Sequence, residues 1–273
     1  MRPVTSHAEL LEVSRQDPWV RWSLPGQLAG EIWTDGRVLL VQRLGWRPGF
    51  WVSQLTTPLT SEEVRVGLLW LRDGGHLQRT GARSVSVPQG HLSVAQEVLS
   101  LGEGGDWEWM WTSTAPPLDP REELVVELDD VGDAAQIEHF SRTNNPRVWT
   151  EIGTGKVKRW LGLRDLRGRL IAVGGAEAEA SGTPHLAGIV TASDRRREGL
   201  GSVISAALTR AAIEDHGACT LGMFSDNDVA RRVYHRLGYQ TARAWSSRVL
   251  ITADQDSSGG IAHDRSKTRR PPT

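Results

Sequence analysis

Apolar and polar positions change period several times along the second half of this chain, and each change marks an element. Leu124-Val-Val-Glu-Leu128 reads as a short strand, and residues 131–143 as a helix followed by a loop through Asn144-Asn145-Pro146. Residues 160–166 and 169–178 read as two strands joined by a turn at Arg167-Gly168, and 185–191 as a third with a buried apolar run from Leu186 to Val190. From Gly199 to His216 the period lengthens. Leu200, Val203, Ile204, Ala207, Leu208 and Ala211 form one helical stripe, which Gly217 stops. A strand over 219–224, a helix over 227–237 capped by Ser225 or Asp226 and ended by Gly238, and a long strand over 239–251 complete the series. The predicted order is β-α-(loop/α)-β-β-β-α-β-α-β, an α/β (α+β) fold with a mixed, mostly antiparallel sheet flanked by helices.

The first half closes on a similar series: helix 61–71, strand 83–87, helix 92–99, strand 106–111. Helix, strand, helix, strand also closes the second half, so the order suggests an internal structural repeat despite little residue similarity. Thr56-Thr-Pro-Leu-Thr-Ser-Glu-Glu63, ahead of the first of these helices, is ordinary helix-start sequence. Pro116, Pro117 and Pro120 mark a break, because prolines so spaced continue neither a helix nor a central strand. The expected organisation is an N-terminal α/β domain over 1–114, a linker over 115–120 and a second domain over 121–252. The tail 253–273, poor in apolar residues, is expected to be disordered.

Composition narrows the function classes. Over 273 residues the formal net charge is −1, which gives no global electrostatic case for nucleic-acid or membrane binding. A single cysteine, Cys219, excludes an intramolecular disulfide framework and a Cys-based zinc site, and no metal is expected. No apolar run reaches the length of a membrane span and the N-terminus lacks a signal-peptide pattern, so a cytoplasmic protein is expected. Twelve tryptophans are unusual, and Trp107, Trp109 and Trp111 alternate at strand spacing. Such a stripe can stack single-stranded nucleic acid, but without interleaved basic residues packing is the stronger reading.

The chemistry concentrates in Ile189-Val-Thr-Ala-Ser-Asp-Arg-Arg-Arg-Glu-Gly-Leu-Gly-Ser202. A strand, a glycine-punctuated loop and a helix start together form an anion-binding device, since glycines admit close approach and the first-turn N–H groups point at negative charge. Arg196-Arg-Glu-Gly-Leu-Gly201 is no Walker loop, for no Lys-Ser/Thr follows the glycine, and it lacks the first glycine of the dinucleotide fingerprint. Alone, these residues serve an ordinary surface loop equally well. Further on, Asn227, Arg231 and Tyr234 share one helical face at i, i+4 and i+7.

Asn227-Asp-Val-Ala-Arg-Arg-Val-Tyr-His-Arg-Leu-Gly-Tyr239 resembles the Asn-x-x-Ala-x-x-x-Tyr-x-x-Leu-Gly-Phe/Tyr signature of the GNAT-type N-acetyltransferase superfamily. Arg196-x-x-Gly-x-Gly201 is similar to that family's Gln/Arg-x-x-Gly-x-Gly/Ala loop. The resemblance implies a GNAT-like sheet, acetyl-CoA or another short acyl-CoA as cofactor, and an amine-bearing acceptor. It places Ile189, Val190 and Thr191 beside the pantetheine arm and gives Arg196, Arg197, Glu198, Gly199, Leu200, Gly201 and Ser202 to the pyrophosphate. Asn227 and Arg231 would reach the cofactor from the second helix. It also makes Tyr234 the acid that protonates the leaving sulfur after direct attack by the amine. The first half would be a degenerate copy of the same domain, or a small α/β companion.

His185 falls where some members of that superfamily carry a glutamate base, and an imidazole suits the task. A surface strand end serves it equally, and Glu151, Glu177 and Glu179 are rivals. Asn145, Trp149 and Glu151, in the loop before residue 158, are the candidate acceptor-binding residues, with solvated loop residues as the alternative. Against an enzyme stands a non-catalytic acyl-CoA-binding sensor or assembly module. The sequence identifies neither the acceptor nor the oligomeric state.

Overall fold

The computed structural model describes residues 1–45 and 47–251. The tail expected to be disordered, 253–273, lies outside the described residues. The chain forms two compact units. The first comprises residues 1–108, 224–226 and the stretch from 243, and the second residues 109–223 and 227–242. The fold is mixed α/β, with mostly antiparallel sheet flanked by helices.

The first unit opens with β1 (Arg2–Pro3), α1 (His7–Val13) and α2 (Pro18–Ser23). The hairpin strands β2 (Ile32–Thr34), β3 (Val38–Arg43) and β4 (Gly49–Gln54) pair antiparallel in series. Helix α3 (Ser61–Asp73) and the single turn α4 (His76–Arg79) then lead to β5 (Ser84–Pro88), which runs parallel to β4 over Gly49–Trp51 only. Helix α5 (Leu92–Val98) and the start of β6 (Leu101–Thr112) follow. Thr60 and Glu63 close the N-terminus of α3 as a capping box, the Thr60 side chain accepting from the Glu63 N–H and the Glu63 carboxylate accepting from the Thr60 N–H. One face of the sheet, with Val38, Leu40, Phe50, Val52, Val85 and Val87, meets Val64, Leu68 and Leu71 of α3 and Val94, Ala95 and Val98 of α5. Each fully buried Leu or Val there contributes about 1.5–3 kcal/mol.

The second unit continues from β6 through β7 (Val125–Leu128), α6 (Ala134–Asn144), β8 (Arg159–Arg164), β9 (Leu170–Ala178) and β10 (Pro184–Thr191). It then runs through α7 (Leu200–His216), β11 (Cys219–Phe224), α8 (Asp228–Arg236) and the first residues of β12 (Gln240–Leu250). Strands β7 to β10 are antiparallel neighbours, whereas β11 is parallel to β10. Helices α7 and α8 cover one face through Val203, Ile204, Leu208, Tyr234 and Leu237, which pack with Leu186, Leu221 and Met223. Helix α6 covers the other with Ile137 and Phe140 against Val157, Trp160, Val173 and Val190. Gly174 lets α7 settle on β9, since a Cβ there would lie 2.3 Å from Ile189 Cδ1 and 2.6 Å from Ile204 Cγ2.

The units depart from the division suggested by the prolines. Residues 243–250 of the last strand belong to the first unit, where Trp245–Val249 pair antiparallel with Ser84–Pro88, and Trp109–Thr112 belong to the second. The proline segment is also fastened within its unit: Arg210 of α7 donates to Pro116 O at 3.3 Å and Pro117 O at 3.1 Å. At α8 the cap is Asn227, not Ser225 or Asp226; its side chain accepts from the Ala230 N–H at 3.1 Å. Trp107 and Trp109 are buried, their indole N–H groups donating to Ser247 Oγ and Glu179 Oε1, both at 2.7 Å. This is packing rather than a stacking platform.

Candidate functional site

Strands β10 and β11 are paired only through His185 with Thr220 and Leu186 with Leu221. Beyond Leu186, β10 bulges between Ala187 and Val190, with Gly188 at φ 62°, and its backbone toward Thr191 has no β11 partner. The two strands part where their C-terminal ends approach α7 and α8. Of the three residues expected beside a cofactor arm here, Val190 is buried toward α6, Ile189 packs against the α7 core, and Thr191 is half-buried.

The loop after β10 is a prebuilt polar frame. Asn144, at the end of α6, accepts from the Ser193 N–H through Oδ1 at 2.8 Å, and its carbonyl accepts from Arg196 Nη2 at 2.7 Å. Arg195 forks onto Glu198 with two 2.7 Å bonds, and Arg169 pairs with Asp194 at 2.9 Å. The arginine hydrogen bonds hold Glu198 and Asp194 below the usual carboxylate range, so both acids are charged and engaged. Arg197 adopts φ 70° and Gly199 φ 77°. Left-handed backbone at a non-glycine residue costs about 1 kcal/mol, which the surrounding frame must over-determine.

Helix α7 starts at Leu200 with no side-chain cap and no acidic residue in its first turn. The first-turn N–H groups, including those of Gly201 and Ser202, therefore face outward without a competing carboxylate. A Cβ on Gly201 would lie 3.2 Å from Thr191 Oγ1, so a glycine keeps the turn close to the end of β10. Sequence reasoning missed two residues of this frame, Asn144 and Arg121. The Arg121 Nη1 group donates to Glu198 O at 2.7 Å, and its guanidinium lies 3.4 Å from a Cβ built on Gly199. Each acts across long sequence separation, and a helix-end asparagine or an arginine just after the proline segment carries no local signal.

Tyr234 is buried under α8, its ring 5.8 Å from that of Tyr239. Burial first, and the nearby Cys219 second, push its hydroxyl up to about 12. The Cys219 thiol of the same cluster is likewise pushed up to about 12 by burial, which makes it a packing residue rather than a nucleophile. Asn227 is occupied as the α8 cap, and Arg231 pairs with Asp228 on the same helix.

His185 lies on the face opposite Leu186, and therefore opposite α7, together with its cross-strand partners Glu177 and Thr220. It is buried, and its Nδ1 lies 2.9 Å from both Glu179 Oε1 and Thr220 Oγ1. Burial opposes its charge, but Glu179, with a smaller contribution from Glu177, wins and raises its pKa above the ordinary 6.5. The imidazole Nε2 is turned to Gly222, 3.6 Å from a Cβ built there. The surface-strand-end reading of His185 fails, and the rival Glu179 turns out to be its partner.

The loop carrying Asn145, Trp149 and Glu151 is anchored by Asp130, which accepts from the Gly153 N–H (3.2 Å), the Gly155 N–H (2.6 Å) and Trp160 Nε1 (2.7 Å). Thr150 and Trp160 bring it against the β10 bulge: a Cβ on Gly188 would meet Trp160 Cη2 at 2.8 Å and Thr150 Oγ1 at 3.2 Å. Within it Asn145 accepts from the Arg147 N–H at 3.1 Å, Glu151 pairs with Lys156, and Trp149 is half-buried. Among the described residues no His, Cys, Asp and Glu cluster is placed to hold a metal, and no helix is long and apolar enough to cross a membrane.

Residues 161–249 match the family model of the FR47-like proteins. Among solved structures, a GCN5-related N-acetyltransferase from Kribbella flavida is 16% identical over 92% of this chain and 97% of its own, with a TM-score of 0.50. A Drosophila protein is 13% identical over 91% of this chain and 98% of its own, with a TM-score of 0.55. At such identities the likeness is one of fold, and the fold is GNAT-type. No curated protein sequence matches the chain.

Proposed function

We propose, with the FR47-like, GNAT-type domain over 161–249 as the premise, that this chain is an acyl-CoA-dependent N-acyltransferase whose acceptor is an amine. The observation that carries this reading is the uncapped start of α7, set directly behind a strand that has left its parallel neighbour. The residues fit a diphosphate. Gly199 and Gly201 leave the backbone open, the first-turn donors of α7 have no competing acid, and Arg196 and Arg197 supply positive charge nearby, while Arg121, paired with Asp119, braces the Glu198 carbonyl. Backbone groups of Ile189 to Thr191, freed from β11, would hold the arm, with Asn227 and Arg231 on the α8 side. Bound there, acetyl-CoA or another short acyl-CoA would supply an acyl group activated as a thioester.

The chain's own residues then divide the proton work between two faces of the sheet. Tyr234 keeps its proton up to about pH 12, so the acid form is complete in the working range. On the other face His185, held at Nδ1 by Glu179 and Thr220, would take a proton through Nε2 once neutral. With Glu177 and Glu179 on that face, a cationic amine suits it better than an anionic acceptor.

Thiol release from acetyl-CoA in the presence of an amine panel tests the activity, and Tyr234→Phe tests the assignment. The variant should lose about 100-fold in kcat while its affinity for CoA stays within about twofold, because the phenol acts on a proton and not on the diphosphate. Full turnover by the variant would remove Tyr234 from the mechanism. Saturable CoA binding with no transfer to any amine would favour the sensor.

A further inference from the structure

The face of the first unit's sheet turned away from α3 is lined by tryptophan and arginine. Alternation sends Leu40, Phe50, Val52 and Val85 toward α3 and α5, and so sends Arg43, Trp51, Ser84 and Ser86 to the opposite side. Trp19 packs edge-on against Trp51 there, at 5.4 Å between ring centroids, and against Trp245 at 5.7 Å.

Two arginines are buried on this face and they are treated differently. Arg243 has its counter-ion: it pairs with Asp17 at 2.8 Å and donates through Nε to Ser53 Oγ at 2.9 Å. Arg43 is only 4% exposed, yet no carboxylate among the described residues lies within ion-pair distance of it. Its Nε donates to Arg47 O at 3.0 Å and its Nη2 to Ser84 Oγ, while Nη1 is buried without a partner. The guanidinium carbon stands 5.3 Å from the Trp51 ring centroid, and Trp51 Nε1 is also buried without a partner. Trp245 Nε1 is a third such atom. All three are N–H donors, and a buried cation with neighbouring orphan donors is the imprint of a missing acceptor.

We propose that Arg43 and Trp51 form a binding site in the first unit for a small organic carboxylate, with one oxygen on Arg43 Nη1 and the other on Trp51 Nε1. The uncompensated charge of Arg43 calls for an anion, its Nη1 and the Trp51 Nε1 are two buried donors for the oxygens of a carboxylate, and the Trp51 and Trp19 rings favour an organic group over a hydrated phosphate. Arg43 is the last residue of β3, and Leu44 beside it is half exposed, so the buried guanidinium lies next to the surface end of the strand. Burial, with Arg47 adding to it, depresses Arg43 to about 9, as expected of a cation awaiting its counter-ion. This site is separate from any diphosphate site, since the Thr60–Glu63 box closes the α3 terminus of the same unit.

Isothermal titration of the full chain with sodium benzoate and sodium acetate, at constant ionic strength, tests the proposal, with phosphate and chloride as the competing arms. Benzoate should bind once per chain and raise the unfolding midpoint. Arg43→Met should weaken it about tenfold or more and Trp51→Phe, which keeps a ring but removes the N–H, severalfold. Acetyl-CoA affinity should be unchanged in both. Benzoate binding that is equal in wild type and Trp51→Phe overturns the site even if Arg43→Met does not fold. So does binding of phosphate or chloride as tight as that of benzoate.

Discussion

In the first unit β4 leads into α3 through Thr60 and Glu63; in the second β10 leads into α7 through Arg197 and Gly199. The frames agree: an antiparallel series of strands, a helix, a parallel strand paired for two or three residues, a short helix and a long strand. The helix starts do not. Thr60 and Glu63 satisfy the orphan donors of α3 from within and place a carboxylate where an anion would sit. Helix α7 leaves its donors open and sets two left-handed residues before them. One topology therefore gives either a closed helix start or an open one, and the decision rests on three or four residues.

The comparison breaks most sharply at Ser202. This residue stands third in α7, where Glu63 stands in α3. Ser202→Glu should suit the helix dipole and leave folding intact, even adding ~0.3–1 kcal/mol. Facing a diphosphate, the same carboxylate should weaken acetyl-CoA binding about 100-fold, or about 2.7 kcal/mol. Calorimetric titration with CoA alone reads this directly. An affinity within threefold of wild type would sink the equivalence of the two helix starts.

Thr60→Ala gives the smaller converse. Losing the cap should cost about 1 kcal/mol of stability and leave CoA affinity alone, since the Glu63 carboxylate still stands at the α3 start. Urea unfolding set beside CoA titration checks both halves, and a loss of CoA affinity would mean that α3 has a role in the second unit's chemistry.

How far the sequence carried this comparison depended on the range of each interaction. The entries of α3 and α7 into their helices were readable because caps, glycines and apolar stripes act within a few residues: residues 199–216 and 219–224 were outlined closely. The strands before residue 61 are less legible: Asp35-Gly36 is a turn signal between β2 and β3, but the continuous buried run Val38 to Val41 lacks the alternation that marks a strand. The sharing of β6 and β12 between units was out of reach, since an isolated strand does not name its partner. The loop and Tyr234 stood in motifs, whereas Arg121, Asn144 and the Glu179 partner of His185 are set by contacts that only the fold creates. Arg43 was invisible for a related reason, because an arginine ending a strand reads as a surface residue until the packing of Trp19 and Trp51 is known.

Among the described residues each unit holds a His–Glu pair, and their pH dependence should run in opposite directions. In the first, Glu31 accepts from His76 at 2.7 Å and from Arg79 at 3.0 Å. Burial opposes its charge, but those two hydrogen bonds prevail and set it below the ordinary 4.5. Its contribution to stability is therefore present above that value and lost as pH falls through the folded pKa. In the second, Glu179 also accepts from the neutral donors Trp109 and Thr220; burial opposes the charge of His185, but the attraction of Glu179 outweighs it and the pKa rises above 6.5. That contribution is complete below 6.5 and lost as pH climbs through the raised value. Unfolding midpoints in urea across pH 3 to 10 (a range of ~7 units spanning both groups) should lose their acid-side slope in Glu31→Gln and their alkaline-side slope in His185→Gln. Slopes of the same sign, or an alkaline decline that survives His185→Gln, would contradict the pairing. Because a base must be neutral to act, acyl transfer should rise over the same interval in which His185 ceases to stabilise its unit, so the catalytic and folded-state titrations should share one midpoint.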